Sequence, residues 1–260
     1  MHKELFDKLV QVVAALRSEN GCPWDKAQTH ETLKPDLIEE TYEVIEAIDA
    51  EDSCKLPEEL GDLLMQVMLH AQIAKDGGAF SINEVIQSIT DKLVRRHPHV
   101  FGGTNVRNTD EVLKNWEEIK RSEAGYEDRH SVLDGIPDRL PSLMRAQTIQ
   151  RKAARVGFDW DNVTDVLPKL EEEIQELKAS ISSEDKEAVE MEIGDLLFSI
   201  VNLCRFVEVE AEEALRKSNR KFVNRFHHVE AELDRRGKSF VDYDLAGLDK
   251  IWDEAKAKEK

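Results

Sequence analysis

The chain has 260 residues, with 36 Lys and Arg against 54 Asp and Glu, and a formal net charge of −18. Charged residues at 35% beside hydrophobics at 40% describe a soluble, helix-rich chain, long enough for one large domain or two ordinary ones. Such an acidic balance repels duplex nucleic acid, so a polyanionic small ligand must bring cations or meet a local cluster of Lys and Arg.

The first element is an amphipathic helix with Leu5, Leu9, Val12, Val13 and Leu16 on one stripe. Its scattered acids exclude the uninterrupted apolar stretch of a signal peptide. A second helix begins after Pro35 and carries Leu37, Ile38, Val44, Ile45 and Ile48. The third runs from Leu60 to Ala74 and stops at Gly77-Gly78. Ser81 caps the fourth with Glu84 completing a capping box, and Pro98 stops it. A fifth spans about Asp110 to Arg121. No segment alternates with strand period, so the chain is expected to be all-α. The apolar stretches carry Asp62, Gln66 and His70, or Asp195 and Asn202, and are too polar and short to span a bilayer. Cys22, Cys54 and Cys204 are odd in number and form no C-x-x-C pair, which supports neither a disulfide framework nor a zinc site. A cytoplasmic location is the expectation.

Residues 123–139, "EAGYEDRHSVLDGIPDR", are polar with two glycines and a proline and read as a linker between domains at 1–122 and 140–260. After it the pattern restarts. Gly157 and Trp160 of "GFDWD" correspond to Gly21 and Trp24 of "GCPWD". "LIEETYEVIEAI" corresponds to "KLEEEIQELKASI", "KLVRRH" to "KFVNRF", and "NWEEIK" to "IWDEAK". Glu43 and Glu59 are 16 residues apart, as are Glu176 and Glu192. The chain is read as a tandem duplication of one helical domain.

Each copy places carboxylates on two successive helices. The first set is Glu40, Glu43, Glu59 and Asp62, and the second is Glu173, Glu176, Glu192 and Asp195. Acids on a helix are usually solvated surface. Here they head helices that are apolar nearly all round, such as "IGDLLFSIVNLCRFV", and the pattern occurs twice. If each helix pair forms a hairpin, the carboxylates converge, and a cation is the natural neutraliser. Hard oxygen donors without His or Cys favour Mg²⁺ or Mn²⁺ over zinc or iron. Di-iron bundles use Glu-x-x-His, and the one such step, Glu127 with His130, falls in the linker. The glycines before the aspartates, Gly61 and Gly194, are expected where the two helices approach closely. Past each set come K-x-x-x-R steps, Lys92 with Arg96 and Lys221 with Arg225, then Trp116 with Lys120 and Trp252 with Lys256. Metal, phosphate-clamping cations and a stacking aromatic suit a nucleoside polyphosphate.

The motif E-E-x-x-E followed by E-x-x-D, present as "EETYE" with "ELGD" and "EEEIQE" with "EIGD", resembles the MazG-type nucleoside triphosphate pyrophosphohydrolases. "GCPWD", "RRHPHVF" and "LMRAQ" extend the resemblance over essentially the whole chain. It implies an all-α fold in two tandem domains, a homodimer, Mg²⁺ dependence, and hydrolysis of NTPs (dNTPs among them) to NMP and pyrophosphate, with nucleotide-pool housekeeping or stress regulation as the role. It assigns both carboxylate sets to the metal. Glu39 or Glu172 is then available as general base. Lys169, four residues before Glu173, is placed to reach a phosphate where the first half has Asp36, so the second half is expected to be the principal site. A helical module that senses nucleotides or binds a protein partner is the non-enzymatic alternative.

Overall fold

A computed structural model describes residues 2–121, 123 and 130–258. The chain folds as two compact units, Met1–Tyr126 and Glu127–Lys260. The division therefore falls inside the segment expected as a linker, at 123–139. The first unit contains α1 (His2–Leu16), α2 (Pro23–Ala27), α3 (Lys34–Asp49), α4 (Leu56–Asp76), α5 (Ile82–Arg96), α6 (Pro98–Phe101) and α7 (Thr109–Arg121). The second contains α8 (Ser142–Ala154), α9 (Val163–Ser183), α10 (Lys186–Phe206), α11 (Ala211–Arg235), a 3₁₀ turn at Phe240–Asp242, and α12 (Leu245–Lys258). Among the described residues there is no strand, and no helix is long and apolar enough to cross a membrane.

Local signals account for the helix ends. The Ser81 hydroxyl accepts from Asn83 N–H, and Glu84 reaches back to Ser81 N–H at 2.9 Å, completing the expected capping box of α5. Pro98 ends α5 and opens α6, a one-turn helix that periodicity does not reveal. The two glycines after α1 and α8 serve different purposes. Gly157 takes φ +85°, while a Cβ on Gly21 would lie 2.2 Å from the Leu16 carbonyl oxygen.

The centre of each unit is a helix hairpin, α3 with α4 and α9 with α10. Short connections make each pair antiparallel neighbours. The turns use equivalent residues of the repeat in the left-handed region, Glu51 at φ 52° and Glu184 at φ 59°. In the first unit, α1 closes one side of α4 and its Val13 meets Leu33, Met68 and Leu69 in a buried core. In the second, α8 packs on α10 and α11, and α12 packs on α11 around Val229, Leu233 and Ile251. Gln147 of α8 is fully buried. Its Nε2 donates to Val209 O at 2.7 Å, and its Oε1 accepts from Ala211 N–H at 2.9 Å. It thereby satisfies the first turn of α11, where Glu210 makes no side-chain cap.

The long apolar helix of the second half is less covered than its composition demands. Ile193, Leu197 and Ile200 on α10 are each more than 40% exposed. Gly61 and Gly194 also depart from expectation: a Cβ on either would meet nothing within 4 Å. Close approach of α3 to α4, or of α9 to α10, is not what these glycines serve.

Candidate functional site

Each hairpin gathers carboxylates. In the first unit Glu40 and Glu43 from α3 and Glu59 from α4 bring one oxygen each within 4.8 Å of one another. In the second, Glu173 from α9 does the same with Glu192 and Asp195 from α10. Asp62 and Glu176, expected in the two sets, lie outside these groups. Glu176 is nevertheless close enough to feel them. Desolvation, Glu172, Glu173 and Glu192 raise its carboxyl above the usual range, against the pull of Lys169. Desolvation and then Glu59, Glu40 and Glu39 raise Glu43 in the same way.

Glu59 and Glu173 are the buried members, 5% and 4% exposed. Each is held by a lysine four residues earlier, Lys55 at the N-cap of α4 and Lys169 within α9. Lys55 Nζ lies 2.8 Å from Glu59, and Lys169 Nζ lies 2.9 Å from Glu173 and 3.0 Å from Glu172. A buried carboxylate without such a partner would be strongly destabilising. Lysine before glutamate is the less helpful order for helix stability, so these pairs serve the glutamate and not the helix. The first half has Asp36 where the second has Lys169, and it draws its lysine from the other side of the hairpin, where the second half has Ala188. In both clusters the lysine sits on the helix that gives one carboxylate, facing the helix that gives two.

The proposed general bases stand at the edge of these groups. Glu39 is exposed, and Glu172 is exposed with its carboxylate on Lys169. Glu127 of the Glu-x-x-His step lies outside the described residues.

The basic and aromatic residues fall into matched sets. In the first unit the Arg96 guanidinium lies 5.4 Å from the Trp116 ring centre, and His97 meets the same ring edge-on at 4.9 Å. In the second, Arg225 lies 5.8 Å from the Trp252 ring centre and Phe222 packs against it at 4.9 Å. Both tryptophans therefore carry an arginine on the ring. Lys221 is exposed on α11, and Lys256 pairs with Asp253 at 3.0 Å. Lys92 and Lys120 are half-buried on α5 and α7. Arg96 also donates to Glu123 at 2.9 Å, as does Arg95. The Arg96 guanidinium beside Glu123 holds that carboxyl down at about 2. Glu123, the first residue of the expected linker, is tied to the end of α5 by these bonds.

Sequence reasoning missed a cavity. In the second unit about 270 Å³ opens between α8, α9 and α10, walled largely by apolar side chains including Ile149, Phe158, Val166 and Phe198. Lys169 joins this cavity to the carboxylate cluster, and Asp195, Ser199 and Asn202 run along α10 from one to the other. The available signal was Asn202, an amide seven residues past Asp195 in an otherwise apolar helix. At the corresponding place in α4 stands Leu69, 2% exposed and packed in the core.

Helix hairpins with convergent carboxylates, no strands among the described residues, and an apolar cavity beside the second cluster define an all-α protein with one such hairpin in each unit. Comparison with known proteins is specific. Residues 28–101 and 162–230 match the model of the MazG nucleotide pyrophosphohydrolase domain, once in each unit. The chain is 47% identical over 257 residues to the nucleoside triphosphate pyrophosphohydrolase of Escherichia coli strain K12, covering 98% of both chains. It is 48% identical over 252 residues to the nucleoside triphosphate pyrophosphohydrolase/pyrophosphatase MazG of Thermotoga maritima, covering 97% of this chain and 96% of that one. A crystal structure of a mazG-related protein from Thermotoga maritima aligns with 44% of the chain at 31% identity and a TM-score of 0.39. The chain belongs to the MazG nucleotide pyrophosphohydrolase family.

Proposed function

We propose that this chain, a hydrolase of the MazG family, converts nucleoside triphosphates to nucleoside monophosphate and pyrophosphate with Mg²⁺ or Mn²⁺, chiefly in its second unit. The carrying observation is the convergence of Glu173, Glu192 and Asp195 within 4.8 Å at the mouth of a cavity that Lys169 also lines. Three carboxylate oxygens and no softer donor fit a hard divalent ion.

Glu173, Glu192 and Asp195 would hold the ion, with Glu176 beside them. The bound ion supplies charge neutralisation at the phosphate oxygens and a more acidic water. Lys169 Nζ neutralises Glu172 and Glu173, and would be available to a phosphate oxygen of the substrate if a cation took over that charge. Releasing Lys169 also frees Glu172, whose exposed carboxylate can accept the proton of an attacking water. Lys221, Arg225 and Lys256 offer further cations for the leaving pyrophosphate.

One observation favours the second unit: its cavity carries Asn202 where the first has the core residue Leu69. The exposed Ile193, Leu197 and Ile200 stripe supports a homodimer, since the helices of the second unit leave those side chains uncovered. No membrane partner or duplex nucleic acid is proposed. Incubation of the purified chain with each NTP and Mg²⁺, separating pyrophosphate from orthophosphate, tests the reading. NMP and pyrophosphate are expected. NDP and orthophosphate as first products, or full turnover in excess chelator, would refute it.

A further inference from the structure

Far from the second cluster, two histidines of the first unit meet. His70 of α4 and His30, in the segment between α2 and α3, bring their Nδ1 atoms to 2.8 Å. The ring planes are parallel to within 2° and the ring centres are 5.1 Å apart. At that centre separation the nitrogens come this close only when both lie on the line between the ring centres. The rings are therefore edge to edge in nearly one plane, each Nδ1 pointed at the other. This is the geometry of one N–H···N hydrogen bond, with one ring donating and the other accepting.

Burial decides which ring donates. His70 Nε2 is buried and has no hydrogen-bond partner among the described residues, whereas His30 is exposed. A neutral imidazole carries its hydrogen on one nitrogen. On His70 Nε2 that hydrogen would be a buried donor without an acceptor, which is costly. On Nδ1 it is used in the pair, and the His30 Nε2–H is left to water. An added proton has two places to go. It either forces an N–H onto the buried Nε2 of His70, or it sets two Nδ1–H groups face to face and breaks the bond.

We infer that His30 and His70 form a one-hydrogen latch, His70 Nδ1 donating and His30 Nδ1 accepting, which fastens the head of α3 to α4 and opens when the pair takes up a proton. Gln66 lies one turn before His70 on the same face of α4 and reaches toward Glu40 at 3.4 Å. The latch thus acts on the stretch that leads into the carboxylate helix of the first unit. At the place of His70 the second unit has Leu203, so the device belongs to the first unit alone. Burial first, and then the His30 ring, hold the His70 imidazole below its usual 6.5. The helices packed on α4 are α1, α3 and α5, and none of their charged groups adds to this shift. Their charged side chains have other partners: Arg17, just past α1, donates to Asp76 and to Gln28 O, Lys34 pairs with Glu31, and Glu84 caps α5. A depressed value means that the neutral pair stabilises fully above 6.5 and that this is lost as pH falls below it.

Nitrogen-15 NMR on the labelled full chain reads the hydrogen itself. At pH 8 a scalar coupling across the bond between the two Nδ1 nuclei is expected, with the hydrogen on His70. The coupling should vanish by pH 5. Amide exchange then reads the consequence. The Leu33, Lys34 and Leu37 amides, bonded to Thr29 O, Glu31 O and Leu33 O, should lose protection at least about 10-fold between pH 8 and pH 5, after correction for intrinsic rates. The Asp165 amide at the head of α9, bonded to Asn162 O, should stay within about 2-fold. His30→Ala should show the lowered protection at both pH values. His30→Asn supplies an acceptor that does not titrate, and should keep the higher protection at both. No coupling at pH 8, the hydrogen on His30 Nδ1, or a coupling that survives at pH 5 would overturn the latch. So would an acid loss of protection in His30→Ala or His30→Asn as large as in the wild type.

Discussion

Replacing Asp195 by asparagine should move the free and metal-bound states in opposite directions. Asp195, Glu192 and Glu173 place oxygens within 4.8 Å of one another, and only Glu173 has a close lysine. At that distance two carboxylates in water-like surroundings repel by about 1 kcal/mol, and Asp195 has two such neighbours. Asparagine keeps the shape and removes the charge. Without metal, the variant should therefore be more stable by about 1–2 kcal/mol, a rise in Tm of a few degrees for a chain of this size. With metal the sign reverses. An ion at about 100 times its Kd adds about 2.7 kcal/mol, and a 100-fold weaker site keeps about 0.4 kcal/mol of that. Thermal unfolding in chelator and in Mg²⁺, with circular dichroism as the fold control, reads both effects. Turnover should fall at least about 100-fold, equivalent to about 2.7 kcal/mol of barrier. A variant that is less stable in chelator, or that keeps the full Mg²⁺ shift, would refute the account of this cluster.

Glu59→Gln makes the corresponding change in the first cluster and should leave most NTP hydrolysis intact; a loss equal to that of Asp195→Asn in kcat/KM would mean that both units turn over. Gly194→Ala adds a Cβ where nothing lies within 4 Å. It should therefore stabilise α10 by about 1 kcal/mol in denaturant melts, and a loss would mean that another chain packs on that glycine. Leu197→Asp, on the exposed α10 stripe, should convert a dimer to a monomer of 29.8 kDa in light scattering while leaving helix content unchanged. Glu123 carries a pH signature. Its folded carboxyl is depressed to about 2, chiefly by Arg96, so the stabilisation is complete above its usual value near 4.5 and is lost as pH falls through about 2. The partly exposed setting limits this to about 1 kcal/mol. The stability gap between wild type and Glu123→Gln should close on acidification from pH 6 to pH 2, and a constant gap would contradict the ion pair.

Much of the fold was legible because it follows from local chemistry. Helical periodicity, the Ser81–Glu84 box and the Gly77-Gly78 stop act within a turn or two, and α1, α3, α5 and α7 fall where those signals place them. The duplication was legible because equivalent residues recur in one order, down to the left-handed Glu51 and Glu184 that no motif announces. The two helix pairs also bring carboxylates together as expected. Which of them converge was not legible. Glu43 joins the first group and Asp195 the second, while Asp62 and Glu176 stay outside, and spacing along one helix does not say which side chains cross to the other. Lys55 escaped notice for a related reason: alignment of the halves looks for a lysine at the place of Lys169 and finds Asp36. The cavity depends on α8, α9 and α10 together, so no single helix carries its signature. The reading of Gly61 and Gly194 as close-packing devices fails on distance alone.

The opposite placement of the lysines constrains how the two halves can exchange genetic material. A crossover between the repeats within the hairpin turn would create two hybrid hairpins. Joining α3 to α10 would unite Glu40, Glu43, Glu192 and Asp195 with neither Lys55 nor Lys169. Joining α9 to α4 would pair Glu173 and Glu59 with both lysines, leaving no acidic surplus from the clustered residues to attract a cation. Either recombinant loses the balance that each parental hairpin keeps. Sequence homogenisation between the halves at this turn would therefore cost both clusters their charge balance, whereas exchange of a whole helix pair would preserve it.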